Sequence, residues 1–101
     1  MSDTPELVVK FAVYGAIDGN ENQCQAADVS AALTTALGTS QGIVNINNQT
    51  MGLDASPGNP KNFGAIVTND GVDHYYACSE NQTIDFYHWE DAPPATQTAT
   101  A

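Results

Sequence analysis

The sequence predicts an all-β fold, sandwich-like and mostly antiparallel, with one short α-helix; α+β is the alternative description. Three observations carry this. Leu7, Val9, Phe11 and Val13 alternate with Val8, Lys10, Ala12 and Tyr14, the period of two of a strand with one face on a core. Asn69-Asp70-Gly71 separates two β-rich runs, Phe63 to Thr68 and Val72 to Cys78, and an Asp-Gly pair readily takes the positive φ of a tight hairpin turn or G1 bulge. One stretch alone, with Val29, Ala32, Leu33, Ala36 and Leu37 on a common face, has helical spacing.

The remaining elements follow in chain order. Gly15 to Gln25, with Gly19, Asp18, Asn20 and Asn22, reads as an exposed loop, because these residues tolerate left-handed backbone or bond their own chain. Asp28 is placed to cap the helix and Gly38 to end it, giving about two and a half turns. So short a helix gains its stability by laying its Val/Leu stripe on the sheet. Gly42 to Asn47 is β-branched enough for a second strand, Met51 to Asn62 is a long Gly/Pro/Asn loop, and Gln82 to Trp89 supplies a last strand. From Glu90 onward Pro, Ala and Thr follow without periodicity. Residues 6–90 therefore read as one domain, 1–5 as a flexible start and 91–101 as a disordered tail.

Twelve Asp and Glu against two lysines and no arginine give the 101-residue chain a net charge of −10. Such a chain repels phosphate backbones and anionic headgroups, so nucleic acid is not an expected partner. Without guanidinium groups, nucleotides and organic acids also fall in rank as ligands. No apolar run approaches the roughly 18 residues of a membrane span, and the polar Met1 to Glu6 lacks the form of a secretory signal. The expectation is a soluble protein, cytoplasmic or released without a signal peptide, with Cys24 and Cys78 reduced and the sequons at Asn48 and Asn81 bare.

Tyr14-Gly15-Ala16, then Asp28-Val29-Ser30, then Gly52-Leu53-Asp54-Ala55-Ser56-Pro57-Gly58-Asn59-Pro60-Lys61, then a hairpin, form an ordered set of short motifs. From about Leu7 to Phe86 the chain resembles the C-terminal domain of mitochondrial DnaJ-type co-chaperones of the subfamily C member 11 kind. That resemblance implies a β-rich fold and names no catalytic residue. No J-domain precedes the matching region here, so the co-chaperone role does not carry over. In its compact, acidic style the chain is also similar to small fungal defence proteins and lectins.

Chemistry-bearing groups are few. Asp18 to Gln23 begins like a calcium loop, but Gln23 stands where glycine is needed and Val29 where a bidentate glutamate is, so it reads as a solvated turn. His74 and His88, with Asp73 and Asp85, could be drawn as a metal site, yet their spacing does not specify one, and no cofactor is expected. His74 and Cys78 lie four residues apart on one strand, roughly 13 Å, too far for proton transfer. The informative cluster is aromatic. If Ile84 and Phe86 face the core, Asp85, Tyr87 and Trp89 share the other face, with Tyr75 and Asp73 on the strand taken to lie alongside. Exposed Tyr and Trp beside carboxylates suit either a sugar ring or a subunit interface. The sequence thus points to a non-enzymatic binding protein, lectin-like or a host-interaction protein of defence or immunomodulatory type. It is expected to be homodimeric, with Asp73, Tyr75, Asp85, Tyr87 and Trp89 as ligand residues; the alternative is a structural or protein-interaction domain.

Overall fold

The computed structural model describes residues 7–90; the expectations for 1–5 and 91–101 lie outside the described residues. The fold is mostly antiparallel β, as the sequence predicts, in two sheets with two short helices. Strands β1 (Leu7–Ile17), β2 (Cys24–Asp28), β4 (Asn62–Asn69) and β5 (Val72–Ser79) form one sheet in the order β2-β1-β4-β5. A small second sheet pairs β3 (Ile43–Asn45) with β6 (Thr83–Asp85). Helices α1 (Ser30–Ser40) and α2 (Asn48–Met51) lie between β2 and β4 in sequence.

One face of the large sheet makes the core. Ala12 and Tyr14 of β1, Phe63, Ala65 and Val67 of β4, and Tyr76 of β5 are buried there against Val29, Leu33, Val44, Ile46, Met51 and Phe86 from the second layer. Leu33 and Leu37, with Ala32 and Ala36, turn the apolar stripe of α1 onto this face, as the helical spacing requires.

The alternation in β1 does not run straight through. Val9 pairs with Val67 and Phe11 with Ile66, so Lys10 is an extra residue on β1 and the ladder steps across a β-bulge. Leu7 and Val9 pack on the core, but beyond the bulge Ala12 and Tyr14 take over, and Phe11 turns to the opposite face. A one-residue step in a period-two element reverses every later side chain.

The stretch read as a loop, 15–25, is instead the end of β1, a turn and the start of β2. Asp18 N–H donates to Gln23 O at 2.8 Å and closes the hairpin. Cys24-Gln25-Ala26-Ala27-Asp28 has no β-branched residue, and pairing to β1 overrides its weak propensity. Gly15 makes the pairing possible, since a Cβ there would collide with Gln25 O and Ala26. Asp28 ends β2 and its carboxylate accepts from Ser30 N at 2.9 Å and Ser30 Oγ at 2.6 Å, but the predicted cap is not formed: Val29 occupies the N-cap position and no side chain caps α1 there, because β2 runs through Asp28 and delays the helix by one residue. These bonds hold the Asp28 carboxyl below its usual range. Gly38 sits inside α1, and the chain leaves the helix at Gln41 and Gly42, both left-handed, with φ of 57° and 88°.

The predicted hairpin is present. Asp70 and Gly71 both have positive φ, 53° and 85°, the type I′ signature that matches strand twist. A second helix, α2, not anticipated from the sequence, leads into the region read as loop and overlaps it only at Met51. Asn47 caps it reciprocally with Thr50. The last strand is shorter than predicted. It ends at Asp85, where the Asp85 side chain accepts from Tyr87 N at 3.0 Å and its carbonyl from His88 N at 3.0 Å, turning the chain back along β5.

Candidate binding surface

Among the described residues the second layer covers one face of the large sheet only. On the other, here called the outer face, the antiparallel register lines up Phe11, Ile66 and Tyr75 in one row and Val13, Gly64 and Ala77 in the next, with Gly15, Asn62 and Ser79 beyond. Phe11 is 46 % exposed and Tyr75 66 %, and Val8 and Ile17 are exposed on the same face. Beyond the aromatic row the face falls to a shallow hollow of about 340 Å³ around Val13, Gly15, Ala26 and Gly64. Its few charges lie at the margins. Lys10 at the bulge bridges to Asp73 at 3.0 Å, and Asp28 is bound to Ser30 on β2.

The aromatic residues singled out from the sequence do not form one surface. Strands β5 and β6 belong to different sheets, so Tyr75 and Asp73 lie on the outer face while Asp85, Tyr87 and Trp89 lie on the returning chain. That chain packs against the core side of β5. The Phe86 ring centroid is 4.5 Å from that of Tyr76, whose hydroxyl donates to Phe86 O at 2.9 Å, and Trp89 stacks on His74 at 3.9 Å. The Tyr87 ring lies over Gly42, where a Cβ would come within 2.5 Å of it. Asp85 Oδ2 is 2.7 Å from His88 Nδ1, and that contact holds the Asp85 carboxyl below its ordinary range. Tyr87, His88, Trp89 and Glu90 border an open hollow of about 530 Å³.

His74 and His88 are not brought together with Asp73, which faces away to Lys10. Among the described residues no group of three or more His, Cys, Asp or Glu side chains could hold a metal ion. The Asp18 to Gln23 segment is the exposed β1–β2 turn. Cys24 and Cys78 are free thiols on opposite faces of the sheet.

Sequence reasoning missed a polar cluster beneath one end of the sheet. Lys61 is only 3 % exposed. Its ammonium lies 2.7 Å from Asp54 Oδ1 and 3.6 Å from Glu80 Oε1, and donates to the carbonyls of Ser56 at 3.0 Å and Asn59 at 2.8 Å. Asp54 holds this ammonium above the usual lysine range, although burial opposes it. Asn59 Nδ2 donates to Ser56 Oγ and Ser56 Oγ to Gln25 Oε1, each at 2.8 Å, so the loop is tied to β2. Tyr14 is fully buried beside the cluster and donates to Asn48 Oδ1 at 2.7 Å; burial, then the negative Glu80 and Asp54, push its hydroxyl up to about 12. The visible signal was a lysine, one of two in the chain, closing a Gly/Pro loop that also holds Asp54. With the Lys61 ammonium answered by two carbonyls and two carboxylates, the cluster is a staple whose Asp54 side reaches solvent.

Among the described residues no helix is long and apolar enough to cross a membrane. No family model, curated protein or solved structure matches the chain.

Proposed function

We propose that this chain is a non-enzymatic binding protein whose working surface is the outer face of its four-stranded sheet, where it docks an apolar protein surface. The observation that carries this reading is the row of Phe11, Ile66 and Tyr75, aromatic and aliphatic side chains on a sheet face that no second layer covers among the described residues. Four strands spaced about 4.8 Å apart and some seven residues long give this face a footprint of about 450 Å², the scale at which apolar patches mark interaction sites. Exposed aromatics at the centre with charge at the rim match the anatomy of protein interfaces.

The test uses Nile red, a neutral apolar dye that the chain's negative charge does not repel. Wild type at micromolar concentration is expected to enhance its emission several-fold. The double variant Phe11→Ser/Tyr75→Ser is expected to lose that enhancement with an unchanged circular dichroism spectrum. Equal emission from both would overturn the reading.

A second reading places a sugar at Trp89. Trp89 remains 39 % exposed while stacked on His74, and it borders a hollow shared with Tyr87, His88 and Glu90. An open indole beside carboxylate and imidazole can stack on a pyranose and bond its hydroxyls. Under this lectin-like reading, wild type binds on a glycan array and Trp89→Ala loses at least tenfold in affinity. Silence of the wild type across the array sinks it.

A further inference from the structure

The outer face has a relief that fits itself, and we infer that its occupant is a second copy of this chain, packed face to face so that two large sheets form a β-sandwich. This rests on the docking role proposed for that face. Along β1 the outer-facing residues run Phe11, Val13, Gly15, with the protruding ring and the hollow on either side of Val13. A two-fold axis lying between the sheets and running across the strands through the row of Val13, Gly64 and Ala77 carries Phe11 of each copy to the Gly15 row of the other, over the hollow that Gly15 and Ala26, packed directly on each other, line with Val13 and Gly64. Ring then meets hollow twice by one operation, which is the self-complementarity an isologous interface requires. On the axis itself Gly64 faces Gly64, and the missing side chains let the sheets reach the roughly 10 Å separation of packed sheets.

Charge supports the same occupant. The chain carries −10 overall, yet on the outer strand positions Lys10 and Asp73 neutralise each other and Asp28 at the sheet edge is the remaining charge. A strongly basic partner would find little here to pair with, whereas an apolar face of equal shape buries the Phe11, Ile66 and Tyr75 row by contact. A footprint of about 450 Å² per copy is at the small end for specific complexes, so the dimer is expected to dissociate in the micromolar range, on the order of 10 μM. Because two like-charged copies repel each other at long range, association is expected to tighten as salt rises.

Gly64 supplies the decisive variant. A Cβ added there meets nothing nearer than Tyr76 O and Val13 Cγ1, both at 3.9 Å, so the single chain has room for a Cβ, and Gly64→Val replaces a glycine inside a strand by a good strand former. It should melt no lower than wild type and yet raise the dimer dissociation constant at least tenfold, because it acts twice on the axis. Phe11→Ser should weaken the dimer similarly. The measurement is sedimentation equilibrium from about 1 to 500 μM at low and at 1 M sodium chloride. A dimer that tightens with salt and is lost in both variants is the expected result. A monomeric wild type throughout, a dimer indifferent to both substitutions, or one that weakens with salt would overturn the inference. Monomeric wild type whose Nile red emission still disappears in Phe11→Ser/Tyr75→Ser would remove the second copy and keep the docking face; emission kept by that variant removes both.

Discussion

Replacing Lys61 with methionine is expected to lower the melting temperature by about 10 °C, because the ammonium is shielded from solvent and its loss leaves two backbone carbonyls with no donor, while the half-exposed Asp54 is rehydrated. The methionine keeps the apolar stem, so what disappears is the ammonium alone. Asp54 and Glu80 then lose their common counter-charge, and the Ser56 and Asn59 carbonyls lose their hydrogen bonds. Lys10→Met is the matched control. Lys10 also lies 3.0 Å from a carboxylate, that of Asp73, but this pair stands in solvent, where an ion pair contributes little. Its removal should move the melting temperature by no more than about 3 °C. Thermal melts of the two variants followed by circular dichroism make the comparison. Equal shifts would show that the burial of Lys61 has no energetic weight.

Alkali is expected to unfold the protein for reasons concentrated at the same end of the sheet. Burial raises the Cys78 thiol above its ordinary value of 9.0, and the Tyr14 hydroxyl moves from 10.0 to about 12. Both groups are neutral when protonated, so the unfolded chain releases these protons at lower pH than the folded chain does. Stability therefore falls as pH rises above about 9, and across the Tyr14 window the unfolding constant grows about tenfold per pH unit from that residue alone. Lys61 acts in the same direction. Its raised folded value means that its stabilisation is complete below the ordinary 10.5 and is lost as pH climbs through the folded value. Urea midpoints measured from pH 7 to 12 should drop steeply past pH 9. Tyr14→Phe should cost about 1 kcal/mol at pH 7, through the lost bond to Asn48, and should make the alkaline fall shallower. Identical midpoints at pH 7 and 11 would contradict this account.

What the sequence made legible follows the range over which each residue acts. The Asp70-Gly71 turn was readable because its requirement, positive φ at two positions, is met by the residues themselves. The apolar stripe of α1 is readable for the same reason, whereas its cap is not: Asp28 belongs to β2 and Val29 takes the N-cap position. Strand β2 was not, because nothing in Cys24 to Asp28 favours a strand until β1 lies beside it and Gly15 admits Ala26. The face of β1 was misread by one residue, since the Lys10 bulge depends on the register against β4 and leaves no local trace. The aromatic site was misplaced by the same kind of long-range fact. Composition gathers Tyr75, Tyr87 and Trp89 as candidates, but it cannot show that β6 pairs with β3 and so separates them. Phe11, the centre of the outer face, had been assigned inward by a strict alternation.

Many loops of this size are held by a bound divalent cation, and such a loop opens when the ion is chelated or diluted away. Here the positive charge at the centre of the Gly52 to Lys61 segment is tethered by its own backbone. Its local concentration is fixed by chain geometry, so neither chelators nor extreme dilution can draw it off, and the rigidity of this end of the molecule is independent of the ionic supply around it.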